Sequence, residues 1–384
     1  MMLQPGARKA QARFRAWMFD DALPVWSTTG RDEPGLGFRE HMTLAGIPAD
    51  VPFKRMRVQA RQIYVFSHAH LLGFPAGADL AADAYRFIVA NGKRADGAWV
   101  RCMGRRGGVL DPAADLYDLA FVLFALAWFA RATGDPTPFA EARQTIAWIR
   151  ANMAVPGGGY HNALPVEPGH RQQNPHMHLL EAALALYEAS HDSYFAELAH
   201  ELVALFRSHL HHPASGTLGE FYDDLLQPAP AEAGTHVEPG HQYEWAWLLD
   251  RYAKLFGVSL QTEIDQLYRF AETYGRDPTG AAVLDVLHRD GTVRHASSRL
   301  WPQTEALKAH AAMLRHGADA SPRIETGLNH LMDQHLAHSP RGMWREHFAS
   351  VGGENIADKI PASSLYHLFM AFAELEGLAA PPTA

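Results

Sequence analysis

An all-α fold, an (α/α)6 barrel of six helical hairpins closed into a ring, is predicted for this 384-residue chain by three observations. The first is a set of polar and aromatic clusters at a near-constant interval. They are RQIY at 61–64, DLYDLAF at 115–121, NPHMHLLEA at 174–182, PGHQYEW at 239–245, WPQTEA at 301–306 and PASSLYHL at 361–368. One polar residue from each (Arg61, Asp115, His178, His241, Glu305, His367) gives steps of 54, 63, 63, 64 and 62. An interval of that size fits one helical hairpin, and fixed self-similarity is the mark of a repeated unit. The second observation is that the turn markers Gly134, His191, Gly257 and Gly317 stand 57, 66 and 60 apart. They keep the same period, offset by a helix length, as helix stops should. The third is apolar spacing of helical period throughout. An open solenoid shares this periodicity but seldom places a different reactive residue in each repeat, so the varied clusters favour closure.

Taken in order, about twelve helices are expected. Those over 8–20 and 55–71 precede a stretch at 79–91 of the same period. The helix over 115–133 holds the longest apolar run, Leu119 to Ala130, which is shorter than the roughly 20 residues that span a bilayer and reads as a core helix. Asp135-Pro136 then ends it and opens 137–152. In 178–189, Leu179, Ala182, Ala183 and Tyr187 lie on or near one face. The stretches 194–211, 241–256, 260–274, 303–315, 322–337 and 363–377 follow the same pattern, so that six hairpins fill the chain. Short β hairpins are expected from 97–101 with 107–110, and from 281–284 and Val286 with 292–294, decorating the rim where the clusters begin. The loop 227–234, QPAPAEAG, is exposed and near that rim, and no linker divides the chain, so residues 1–384 are read as one domain.

Composition narrows the function. With 47% hydrophobic and 20% charged residues the chain is of globular type. A net charge of −8 argues against nucleic acid and anionic membranes as partners. The single cysteine, Cys102, forbids an internal disulfide, and the amino terminus lacks the apolar stretch of a signal peptide, so a cytoplasmic location is expected. A homodimer is compatible with these features.

The clusters carry the chemistry. In PGHQYEWAW, His241 starts a helix, where the positive end of the dipole should lower its pKa and favour the neutral imidazole of a general base. Glu244, three residues on, shares its face and could orient the ring or take a ligand hydroxyl; Trp247 could wall a pocket. A capping residue with core tryptophans would look the same. His367 sits in another first turn, capped by Ser363 or Ser364, two periods from His241. His176 and His178 point about 200° apart on a helix, so they cannot chelate together, and only His178 is in phase. His241 with Glu244 has metal-ligand spacing without a second supporting pair, so no metal is expected. Arg61 could stabilise an oxyanion, Glu305 could take a hydroxyl, and one of Asp115 and Asp118 is expected to be a structural cap. The glycines at 104–108 and 157–159 do not match phosphate-binding loops. Asp118, Glu244 and Glu305 leave a two-carboxylate glycosidase open as another use of the same fold.

Together, RQIYVFSHAH, DLYDLAFVL, NPHMHLLEA, PGHQYEWAWLL and WPQTEA resemble the N-acylglucosamine 2-epimerase superfamily from about residue 55 to the end. Within it, PASSLYHL followed by FMAFAEL is most similar to the D-mannose isomerase and sulfoquinovose isomerase branch. Leu368-Phe369-Met370 stands where the cellobiose and N-acylglucosamine epimerases carry an arginine. The resemblance implies a barrel enzyme on a small monosaccharide, without metal or redox cofactor. The expected reaction is aldose–ketose isomerisation of D-mannose and D-fructose, extending to D-lyxose and D-xylulose; 2-epimerisation is the alternative. It implies His241 and His367 as catalytic histidines, Arg61 as support of an enediolate, and His178, Glu244, Trp247, Glu305 and Tyr64 as substrate contacts. It favours His367 as the base at C2 and C1 and His241 as the ring-opening acid.

Overall fold

The computed structural model describes residues 2–338 and 340–379. Its helices are α1 (Pro5–Ala16), α2 (Leu23–Thr28), α3 (Met56–Leu71), α4 (Gly77–Gly92), α5 (Leu116–Thr133), α6 (Thr137–Asn152), α7 (Asn174–Ser190), α8 (Ser193–Leu205), α9 (Pro239–Phe256), α10 (Gln261–Tyr274), α11 (Leu300–Arg315), α12 (Ser321–His330) and α13 (Leu365–Ala379). Wide π turns follow α1, α8 and α12.

Two kinds of helix alternate, and their burial shows why. In α5 every residue from Asp118 to Ala130 is buried, and in α9 every residue from Pro239 to Asp250. A helix enclosed on all sides belongs inside the molecule. By contrast α10 buries only Ile264, Leu267, Phe270 and Ala271, a single stripe. The enclosed helices form the inner ring: α3 packs on α5, α5 on α7, α7 on α9, α9 on α11, α11 on α13, and α13 returns to α3. The striped ones clad it, α4 on α3, α6 on α5, α8 on α7, α10 on α9 and α12 on α11. The helix α5 is long and apolar enough to cross a membrane, but it is buried within this ring. Truncating one of its core leucines, such as Leu123→Ala, should cost about 2–5 kcal/mol.

The sixth hairpin differs from expectation. Among the described residues no helix follows α13; its outer cover is α1, which packs on both α12 and α13. Of the described helices the first is thus an outer one and the last an inner one, so five hairpins are continuous and the sixth pairs α1 with α13.

Helix stops fall where the turn markers lie. Gly134, His191 and Gly257 adopt left-handed backbone with φ of 72°, 55° and 65°. Asp115 caps α5, accepting from the amides of Tyr117 and Asp118. The β pieces lie before the inner helices, with one shift. The first hairpin uses Cys102–Gly104 and Val109–Asp111, with Phe53–Arg55 as third strand, because Trp99 is buried and donates to Thr145 Oγ1 on α6 (3.0 Å), which ties 97–101 to the outer wall. The second joins His236–Val237, Val286–His288 and Val293–His295.

Candidate active site

The first turns of the inner helices converge on a cavity of about 400 Å³ at the β-decorated rim. His241 is the third residue of α9 and His367 the third of α13, while Arg61 and Glu244 are the sixth residues of α3 and α9. Residues in the sixth position lie about 4.5 Å deeper along the helix axis than those in the third. The histidines therefore stand near the mouth, and the cavity floor is set by the second turn. The excursion between α8 and α9 adds Glu220 and Phe221 to the lining. The loop 227–234 supports it from behind, with the Ala229 amide donating to the Phe221 carbonyl (3.0 Å).

Both histidines are buried and both are oriented by a glutamate. His241 Nδ1 lies 2.9 Å from Glu220 Oε2, and His367 Nδ1 lies 2.9 Å from Glu305 Oε1. Each glutamate fixes the Nδ1–H tautomer and leaves Nε2 as the nitrogen that meets a ligand. The indole of Trp301 stands beside both rings, 4.7 Å from that of His241 and 5.8 Å from that of His367, centroid to centroid.

Their protonation states differ. For His241, burial lowers the pKa, but Glu220, Glu238 and Glu244 outweigh it and push it up to about 9. It is an imidazolium at neutral pH. That corrects the expectation of a neutral ring at the helix start: three carboxyl groups act more strongly than one helix terminus. For His367, burial lowers the pKa, and Arg61, Lys308 and His178 lower it further, to well below the usual value. It is neutral, with a free lone pair on Nε2. One group is thus an acid and the other a base.

Arg61 is buried and faces the same cavity. Its NH2 donates to Tyr117 Oη (2.6 Å) and its NH1 to the Ser363 carbonyl (3.3 Å), with the guanidinium 4.1 Å from the Phe121 ring centre. Each terminal nitrogen carries a second hydrogen beyond these bonds, so the group keeps hydrogen-bonding capacity for a ligand oxygen.

Below lies a dense cluster. His178 Nδ1 is 3.1 Å from Glu181 Oε2, and Tyr366 donates to both oxygens of Glu181. Burial lowers His178 to about 4, and burial opposes but does not prevent Glu181 from falling to about 2 beside it. Glu244 has no hydrogen-bond partner on either oxygen; burial first, and then Glu305, raise its pKa well above the carboxylate range. Lys308 Nζ lies 2.5 Å from Glu305 Oε2 and 3.8 Å from Glu244 Oε1.

This cluster contains a second His–Glu pair at i, i+3, His178 with Glu181, beside His241 with Glu244. His178, Glu181 and Glu244 bring potential ligand atoms within 4.8 Å of one another. Two of the three are already engaged with protein groups, His178 Nδ1 with Glu181 and both Glu181 oxygens with Tyr366, while Glu244 is not.

Of the expected site residues, His241, His367, Arg61, His178 and Glu244 line the cavity. Three do not. Glu305 sits behind His367 and orients it instead of meeting a hydroxyl. Trp247 is fully buried under the cluster, with Lys308 Nζ 4.0 Å from its ring. Tyr64 packs among Phe124, Trp128, Tyr366 and Phe369 and contacts His68 and Met370 through its hydroxyl. On α9 the residue at i+6 from His241 faces away from the rim toward the core, which is why Trp247 packs there and Trp301 forms the wall. Asp118 is held by Arg57 (2.6 Å), outside the lining. Sequence reasoning missed Trp301 as the wall, Glu220 as the partner of His241, and Glu346, which receives hydrogen bonds from Ser364 and Trp344 at the rim. Trp301 lies inside one of the recurring clusters; Glu220 and Glu346 lie in excursions outside the repeat and carry no periodic signal.

A second space of about 500 Å³ adjoins the cavity and shares Arg61, Tyr117, Gln172, Asn174 and Ser363 with it. It is an antechamber with Arg55, Arg57 and Arg171 in its walls.

Comparison with known proteins agrees with this architecture. The family model described as N-acylglucosamine 2-epimerase (GlcNAc 2-epimerase) matches residues 37–371. A mannose-6-phosphate isomerase of Rhizobium meliloti (strain 1021) is 33% identical over 374 residues, covering 94% of this chain and 95% of the relative. A D-mannose isomerase of Thermobifida fusca is 25% identical, covering 87% and 91%. The solved structure of cellobiose 2-epimerase from Spirochaeta thermophila DSM 6192 superposes with a TM-score of 0.85 at 23% identity, covering 97% of this chain and 96% of that one, and shares the fold. With the barrel, the paired histidines and these matches in hand, the chain belongs to the N-acylglucosamine 2-epimerase family and is a sugar isomerase or epimerase.

Proposed function

We propose that the protein is an aldose–ketose isomerase interconverting D-mannose and D-fructose, working without a metal or redox cofactor. The observation that carries this reading is the pair of histidines around one cavity, one charged and one neutral, with Arg61 on α3, the helix next to that of His367. The imidazolium of His241 donates from Nε2 to the ring oxygen while a water takes the proton of the anomeric hydroxyl, and the pyranose opens to the aldehyde. His367 Nε2 then removes the proton from C2. The C–H electron pair becomes the C1–C2 double bond, and the carbonyl pair moves to O1, giving a cis-enediolate that Arg61 stabilises. Transfer of the O2 proton to O1, with return to C1 of a proton that has exchanged with solvent while on His367, yields the ketose. Return of a proton to C2 from the opposite face would give the epimer.

The isomerase side is supported by the names of the two relatives above and by Leu368, Phe369 and Met370 after the second histidine. A glycosidase reading loses support because Glu220 and Glu305 each serve a histidine and Asp118 serves Arg57. A phosphorylated substrate is a second reading, favoured by the arginines of the antechamber. Two of them are committed, Arg55 to Glu40 (2.8 Å) and Arg57 to Asp118, which favours the neutral sugar. A cytoplasmic location belongs to the same reading.

The test is D-mannose, and separately D-mannose 6-phosphate, in heavy water with a chelator, followed by NMR. Fructose carrying deuterium at C1 is expected from mannose. Glucose with deuterium at C2 would make the protein an epimerase. No exchange at C2, or loss of turnover with chelator, would overturn the proposal.

A further inference from the structure

The two histidine–glutamate pairs differ in what stands behind the glutamate. Glu220 is held by a neutral group: Gln173 Nε2 donates to its Oε2 (2.9 Å), and Gln173 Oε1 accepts from Trp245 (2.6 Å). Glu305 is held by a cation, Lys308, one helical turn along α11, whose side chain is completely enclosed. We propose that Lys308 is a positioning residue that keeps the Nε2 lone pair of His367 free, by balancing the charge of Glu305 so that the Glu305–His367 pair takes up no proton. The consequence for catalysis rests on His367 being the base of the proposed reaction; the charge placement does not.

The geometry supports this from each side. Burying an ammonium is costly unless it is paired. Lys308 faces Glu305 on its own helix, Glu244 from α9 and Glu181 from α7, and although burial works against its charge these carboxyl groups raise its pKa above the usual lysine value. Burial pushes Glu305 up, and Lys308 opposes that more than any other neighbour. His367 is faced by Arg61 from α3, His178 and Glu181 from α7, and Lys308 and Glu305 from α11.

Without Lys308, a carboxylate at this depth would draw a proton into the pair. That proton has two places to go. On the imidazole it makes an imidazolium, with hydrogens on both nitrogens. On Glu305 it makes a carboxylic acid that donates to Nδ1, which forces the imidazole hydrogen onto Nε2. Both remove the Nε2 lone pair. A methionine at 308 would therefore disable the base without touching substrate.

The experiment uses the full chain labelled with ¹⁵N-histidine, with the His367 signal assigned by its loss in His367→Asn. In the native protein Nε2 is expected to be unprotonated at pH 7. In Lys308→Met it should bear a proton, and the acid limb of kcat/KM should rise to about pH 7, so that turnover at pH 6 falls about tenfold with little change in KM. Lys308→Arg should keep the native signal. The double variant Lys308→Met/Glu305→Gln should differ from Glu305→Gln alone by much less than Lys308→Met differs from the native protein, the remainder being the direct effect of the ammonium on His367. Unprotonated Nε2 in folded Lys308→Met overturns the proposal, as does an equally large shift when Lys308→Met is added to Glu305→Gln. Protonated Nε2 with an unaltered pH profile upholds the charge placement and removes His367 as base.

Discussion

His241 and His367 share a position in their helices and a 2.9 Å bond to a glutamate, yet they are driven to opposite charge states. Local sequence would make them alike: both are third residues of an inner helix and both feel its positive end. The difference comes from what the ring brings to each. His241 has Glu220, Glu238 and Glu244 around it; His367 has Arg61, Lys308 and His178. In a buried site such neighbours act through little solvent, so a single added charge changes the role of a side chain. A pair of equivalent histidines could not serve as acid and base at one pH; an unlike pair can.

The largest test removes each member. His241→Ala and His367→Ala should each lower kcat by roughly a thousandfold or more, within the range of general acid–base catalysis. They should differ in one respect. His367→Ala should abolish deuterium exchange at C2, whereas His241→Ala should recover part of its rate on sugars with a larger open-chain fraction. Identical behaviour on both counts would erase the division of labour. Next, Arg61→Met should lower kcat by about a hundredfold with a smaller change in KM, measured by steady-state kinetics on mannose, since its charge is needed most at the enediolate.

A pH profile sharpens the contrast. Activity needs His241 protonated, so kcat/KM should hold across neutral pH and fall only near 9. Glu220→Gln removes the nearest counter-charge, and the alkaline limb should move down toward 6.5, costing about tenfold at pH 8. The linkage signs are also opposite. The raised pKa of His241 stabilises the fold below pH 6.5 and that stabilisation is lost as pH rises through about 9. The lowered pKa of His367 stabilises the fold above its unfolded value and is lost as pH falls. The smallest effect separates wall from core. Trp301→Leu should raise KM about fivefold, as expected for roughly 1 kcal/mol of ring contact. Trp247→Phe should leave KM within about twofold and appear in thermal unfolding as a loss of about 1–2 kcal/mol.

Much of the site is legible in the sequence. Arg61, His178, His241 and His367 are in phase because each hairpin repeats the same rise to the rim, and a residue in the first turns of an inner helix has few other places to point. Glu305 is in phase too, whereas Trp247 lies six residues past His241, and phase fixes only the height and helix of a side chain. It does not say whether that side chain meets the cavity, as Glu244 does, or a neighbour, as Glu305 meets His367. Tyr64, three residues after Arg61, faces α5 and α13 instead of the opening.

By itself the sequence determined the barrel, since helical period, helix stops and a repeat of one hairpin are local properties that sum along the chain. It determined the two histidines for the same reason. Only the tertiary structure decided that α1 closes the sixth hairpin, that Glu220 arrives from an excursion to charge His241, and that Lys308 meets Glu305 beneath His367. Charge state in a buried site is a sum over neighbours in space, and those neighbours come from helices far apart in the chain.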